Sequence, residues 1–327
     1  MNIVQKSALE LIQSDAIFIS YLVKASTLIN NNYISMSMPY IGLFADGAEK
    51  WGKAMKIGSP TFNKLERDYY LQMRLCHKIF ELNYNDLYEK LKKNLKISDL
   101  YFSELCHPIA KKLKLYNNYG VDLYEDKVCG NTILCYMYNP LADKYFNIDG
   151  EKIKELSIVV GKLCSFYGGD IASDNLINKS INSKVKDYHF NPRTPLKNKS
   201  FDQFVLFSIL CTINYLIYFI DRFVIKEFPY KLRFAYLQYY YLVELISQIN
   251  NKLNTTITVD NSWVSREFRN CMAHYGLMQT MKKSDIIEDD LLKGISIKIF
   301  KKDYYEFKEI IYNELERLSL QLEELIF

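Results

Sequence analysis

The side chains best suited to chemistry cluster in Ser265-Arg266-Glu267-Phe268-Arg269-Asn270-Cys271-Met272-Ala273-His274-Tyr275-Gly276. Projected as a helix at roughly 100° per residue, this segment has an apolar face of Val264, Phe268, Cys271, Met272 and Tyr275. The opposite face carries Arg266, Arg269, Asn270 and His274, with the small Ala273 in its middle. Asn270 and His274 stand four residues apart, so their side chains can touch, and Arg269 can reach across on its long stem. The alanine between them is expected to leave room for a phosphate or a partner helix. An imidazole exchanges a proton near neutral pH, and a guanidinium is a fixed cation for charge developing on a phosphorane. These two types suit phosphodiester cleavage without a metal or cofactor. The plainer alternative is a histidine favoured by a helix C-terminus beside solvated arginines.

The elements that must position this face read as helices. Ser200-Phe201-Asp202-Gln203 has the spacing of a capping box, and a long apolar helix follows. A second helix is expected over 229–249, closing at Asn250-Asn251, and a third is capped by Asn261-Ser262 and stopped at Gly276. A short alternating stretch at 295–300 leads to a final helix from Asp303. Four main helices with one apolar face each are most simply covered by bundling.

Upstream, apolar residues at three- and four-residue spacing predict helices over 3–29, over 61–95 with a break near Asn83, and over 98–115. Another is expected over 150–167, between Asp149 and Gly168-Gly169. The pattern stops between residues 181 and 199, where a domain boundary is expected. The fold class is therefore all-α, with a mainly helical region over 1–195 and a four-helix domain over 196–327.

The Arg269-Asn270-Cys271-Met272-Ala273-His274 motif resembles the Arg, four to six residues, His motif of HEPN ribonucleases, including their frequent Asn after the Arg. The resemblance extends over the last 130 or so residues through helix order and this motif, and does not reach residues 1–195. It implies a bundle that dimerises with two motifs facing across a composite cleft. It also implies metal-independent endoribonuclease activity, in which the 2′-hydroxyl attacks the adjacent phosphate and leaves a cyclic phosphate. On that resemblance His274 is base or acid, Arg269 holds the scissile phosphate and Asn270 orients His274, while Arg266 and Tyr275 are expected to bind substrate. A homodimer is implied, since the chain has one such motif, and a role as toxin or anti-phage effector is what many relatives in the superfamily suggest. In members controlled by a nucleotidyltransferase partner, a tyrosine stands two residues after the histidine. Here that position is Gly276 and the tyrosine is Tyr275, which leaves a regulatory protein partner open. A non-catalytic module that uses the same face to hold RNA, a nucleotide or a protein is the alternative.

Composition limits the other classes. The 327 residues are 49% hydrophobic with 12 glycines and 7 prolines, which suits one or two folded units built from long helices. Seven scattered cysteines are expected as free thiols in a reducing cytoplasm. The uncharged stretch 204–220 is expected as a buried core helix rather than a membrane span. Net charge is +4, and from Leu196 onward 17 basic residues meet 17 acidic ones, so RNA binding must use local patches. Six basic residues from Lys179 to Lys199 stand against Asp187 alone, as an RNA-following segment or a solvated connection. Gly47 to Ala54 nearly spells a phosphate-binding loop but lacks the Ser/Thr that would hold magnesium. Cys76-His77 and Cys106-His107 place neighbours about 100° apart on a helix, which suits a core cysteine beside a polar histidine better than a shared metal. Tyr239-Tyr240-Tyr241 is expected to pack into neighbouring helices.

Overall fold

A computed structural model describes residues 1–29, 33–138, 150–168, 177–178, 180, 182–274, 283–287 and 291–327. Side-chain caps open most of its long helices. Asn2 caps α1 (Ile3–Leu28) in a reciprocal box with Gln5. The next helix, α2 (Tyr33–Met55), contains Pro39. Asn63 caps α3 (Lys64–Cys76), a 3-10 turn follows at Ile79–Glu81, and Asn83 caps α4 (Tyr84–Glu104). After α5 (Pro108–Lys112), β1 (Tyr119–Tyr124) and β2 (Lys127–Asn131) form a hairpin leading to α6 (Thr132–Tyr138). Then come α7 (Gly150–Phe166), β3 (Ser183–Tyr188) and α8 (Phe190–Arg193). The C-terminal part holds α9 (Phe201–Asn214), which runs through a π-helical stretch (Tyr215–Ile220) into α10 (Asp221–Phe223). It continues with α11 (Pro229–Leu253), α12 (Arg266–His274), α13 (Leu291–Phe300) and α14 (Tyr304–Ile326), the last capped by Asp303. The class is all-α, and the described residues include one small antiparallel sheet in the order β2-β1-β3.

Three local readings of the sequence are corrected. Residues 183–188 are not irregular: β3 pairs along the whole of β1, with Tyr119 opposite Tyr188 and Tyr124 opposite Ser183. Its Lys184 and Lys186 are exposed on an edge strand, where lysine discourages further strand pairing, and this polar content hides the strand in the sequence. The basic run is therefore partly built into the fold, for Arg193 donates to the Lys114 and Tyr116 carbonyls and Lys197 to the Glu324 carbonyl. The alternating stretch before Phe300 is helical, because Leu292, Ile295 and Ile299 recur at helical spacing against the core. At the start of α9, Ser200 accepts from the Gln203 amide as expected, but the Gln203 carboxamide does not reach back. It accepts from the Asn198 amide and donates to the Leu325 carbonyl, tying the start of α9 to the end of α14. In keeping with its missing Ser/Thr, the segment 47–54 forms no phosphate loop: it lies inside α2, where its amides are spent on helical bonds.

One apolar core runs through both halves of the chain. Phe18 of α1 meets Tyr230 and Phe234 of α11 edge-on, each at 5.6 Å, and Tyr40 of α2 stacks on Phe234 at 3.6 Å. The span Phe201–Phe223 is long and apolar enough to cross a membrane by length, and its apolar 18-residue window is wholly buried inside the chain. Gly42 allows α2 and α3 to touch: a Cβ there would stand 2.5 Å from the Arg74 nitrogen and 2.6 Å from the Tyr70 carbonyl oxygen.

Candidate functional site

The helix that carries the candidate residues, α12, begins at Ser265 rather than at Asn261-Ser262. The Ser265 hydroxyl accepts from the Phe268 amide at 3.2 Å, while Asp260 takes up the Ser262 amide in a separate turn. The Tyr236 hydroxyl of α11 accepts from the Ser265 amide at 3.0 Å, which fixes this start. Phe268 is fully buried against Tyr236, Phe300 and Phe307, with ring centroids 4.6 to 5.1 Å apart. Cys271 and Met272 are buried with it, as the projection predicts.

Two residues depart from the projection. Val264 is 39% exposed, because it precedes the helix and its direction is not set by helical periodicity. Ala273 is 1% exposed, because α12 packs against α2 as well as α11 and α13. The middle of the polar face, at Ala273, is therefore covered by the chain itself instead of lying open as the projection suggests.

The polar face that remains is narrow. Arg266 is exposed and Asn270 half-buried. The Arg269 side chain is only 15% exposed. Its guanidinium lies 5.3 Å from the centre of the Tyr240 ring, a cation–π contact, and Nη2 stands 3.8 Å from Glu81 Oε1 on the turn before α4. Among the described residues, Arg269 Nε is buried without a hydrogen-bond partner. Such a group is costly unless something else satisfies it. His274 is the last residue of α12. Its side chain, and Tyr275 altogether, lie outside the described residues.

Sequence reasoning missed the groups that hold the end of this helix. The last four carbonyls of a helix lack internal partners. Arg233 of α11 donates to one of them, that of Met272, and its Nη1 pairs with Asp15 of α1. Both side chains are buried, Arg233 at 1% and Asp15 at 0% exposure. A cation on the C-terminal carbonyls also complements the helix dipole. No spacing rule links Asp15 to Arg233 across 218 positions of sequence. The remaining signal was one of type: arginine and aspartate inside strongly apolar helices.

Tyr239 and Tyr241 are buried as expected, whereas Tyr240 is half-buried beneath Arg269. For Cys76-His77 the expected roles are reversed. His77 is fully buried, its Nδ1 against the Arg74 carbonyl and its Nε2 3.5 Å from the Tyr241 hydroxyl, while Cys76 is half-buried. No group of three or more metal-ligating side chains occurs among the described residues. No family model, curated protein or solved structure matches the chain.

Proposed function

We propose that this chain is a metal-independent endoribonuclease of the HEPN kind, with Arg269, Asn270 and His274 as its catalytic residues and a homodimer as its working form. The observation that carries the reading is the state of Arg269. It is held on a tyrosine face, largely desolvated, with Nε lacking a partner among the described residues, and His274 ends the same helix five residues later. A preorganised cation of this kind stabilises phosphorane charge more strongly than a solvated one. The 2′-hydroxyl of RNA attacks the adjacent phosphorus and the bond to the 5′-oxygen of the next nucleotide breaks. The proton is taken from the 2′-hydroxyl and one is given to the leaving 5′-oxygen, with His274 on one side of that exchange, leaving a cyclic phosphate and a 5′-hydroxyl. On this reading two copies bring their α12 helices together through the exposed Arg266 edge. A toxin or anti-phage role follows the resemblance to HEPN ribonucleases.

The test is incubation of purified wild-type and His274→Ala chains with mixed cellular RNA in EDTA, followed by end-group analysis. Cleavage by the wild type alone, with cyclic phosphate ends, supports the assignment. Equal cleavage by both chains refutes the site.

A second reading is favoured by the Glu81 contact and by the buried Ala273. A guanidinium already facing a carboxylate, beside a covered helix face, suits a non-catalytic module that holds RNA, a nucleotide or a partner protein. Binding of RNA without cleavage by the wild-type dimer would select it.

A further inference from the structure

Beside Arg269, on the α3–α4 side, lies a cleft of about 280 Å³. Leu75, Leu82 and Met137 give it apolar walls, and Lys78 and Lys90 contribute cations. Glu81 joins the cleft to the candidate site. One carboxylate oxygen pairs with Lys78 at 2.8 Å, and the other faces Arg269 at 3.8 Å. Two cations thus share a single carboxylate while Lys90 adds a third positive charge to the cleft wall, an excess that complements a phosphate chain. The Cys76 thiol on the cleft wall is pushed up to about 11, chiefly by burial, so at neutral pH it is a neutral wall and not a nucleophile.

Apolar walls with cations attached fit one unstacked nucleotide, its base against the walls and its phosphates on the lysines. The volume is near the lower end of ligand sites, on the order of 300 Å³, which suits one base-sized group rather than a longer ligand. We propose that this cleft is the subsite for the nucleotide adjoining the scissile phosphate of single-stranded RNA, with its base between Leu75, Leu82 and Met137 and its phosphates reaching Lys78, Lys90 and Arg269. The proposal rests on the ribonuclease reading for the meaning of that phosphate. The recognition itself is independent of cleavage. The cleft is built by residues upstream of 196, so the first half of the chain sets substrate choice.

The experiment measures binding of short fluorescent single-stranded oligoribonucleotides to the full-length His274→Ala chain. Added to that background, Leu75→Trp fills the cleft from an exposed position, and Lys90→Glu reverses an exposed charge on it. Each is expected to weaken binding on the order of tenfold. Lys96→Glu changes an exposed α4 lysine that does not line the cleft and is expected to leave binding within about twofold. A thiouridine-substituted oligomer is expected to cross-link to peptides of α3, α4 or the turn between them. Unchanged binding in both cleft variants, cross-links confined elsewhere, or no RNA binding at all overturns the proposal. Wild-type cleavage combined with unchanged binding overturns the cleft alone. Cleft-dependent binding without wild-type cleavage overturns the ribonuclease reading and keeps the cleft.

Discussion

The guanidinium of Arg233 donates from Nε and Nη2 to the main-chain carbonyl of Met272, at 3.2 and 3.0 Å, two residues before His274. With Nη1 on Asp15, it ties the end of α12 to α1 through a fully buried ion pair. Removing one partner strands the other charge in the core. Arg233→Met is therefore expected to lose about 3–5 kcal/mol in urea unfolding. The double variant Asp15→Leu with Arg233→Met should recover much of that loss, because no uncompensated charge remains. A double variant as unstable as the single would show that the carbonyl contact, and not the ion pair, carries the stability.

Glu81 competes with any anion for Arg269. The Glu81 side chain is 41% exposed and its oxygen stands 3.8 Å away, so the pair is a weak one. Exposed pairs are worth roughly 0.2–1 kcal/mol, which translates to at most about a fivefold change in affinity. Glu81→Gln is expected to tighten RNA binding by that order, with the gain fading as salt rises. Weaker binding in the variant would mean that the carboxylate positions Arg269 instead of competing for it.

Much of the fold was legible because its determinants are local. Asn83, Ser200 and Asp303 announce their helices by residue type, and Phe268, Cys271 and Met272 fall on one face by periodicity. The parts that were not legible depend on partners distant in sequence. α2 went unread: Pro39 and the glycines at 42, 47 and 52 lower its local helix propensity, and packing against α3 offsets that cost. Ala273 was placed on an open face because a projection shows which residues share a side, but not how many neighbours cover it. His77 and Arg233 are buried by polar contacts that no spacing encodes. In the candidate site, the order of Arg269 and His274 on one helix was readable. The Tyr240 face beneath Arg269 and the carboxylate of Glu81 were not.

Gly42→Ala tests the contact between α2 and α3. The added methyl would meet main-chain atoms of Arg74 and Tyr70, which cannot rotate away as a side chain can. Overpacking of this kind costs typically about 1–3 kcal/mol. A lowered melting temperature is expected, although alanine is the better helix former in an isolated helix. An unchanged or raised melting temperature would show that α3 shifts freely away from α2. In that case the position of the cleft between α3 and α4 would not be fixed by this packing.

The network around Glu49 should make stability depend on acid. Burial alone would raise the Glu49 pKa, but hydrogen bonds from Arg67, Tyr70 and Lys53 outweigh it and hold the carboxyl at about 2, against an ordinary 4.5. A group whose folded pKa is depressed stabilises the fold fully above its unfolded pKa, and that contribution drains away as pH falls through the folded one. Glu49 therefore contributes fully above 4.5 and progressively less between 4.5 and 2. Glu49→Gln keeps the shape and removes the titration. The gap in unfolding free energy between wild type and variant, measured in urea from neutral to acid pH, is expected to be widest near neutrality and to narrow below 4.5. Because Arg67 is partly exposed, solvent screening keeps the gap modest and makes it shrink further in salt. A gap that stays constant with pH would mean that Glu49 serves through packing and neutral hydrogen bonding, with its charge contributing nothing to the junction of α2 and α3.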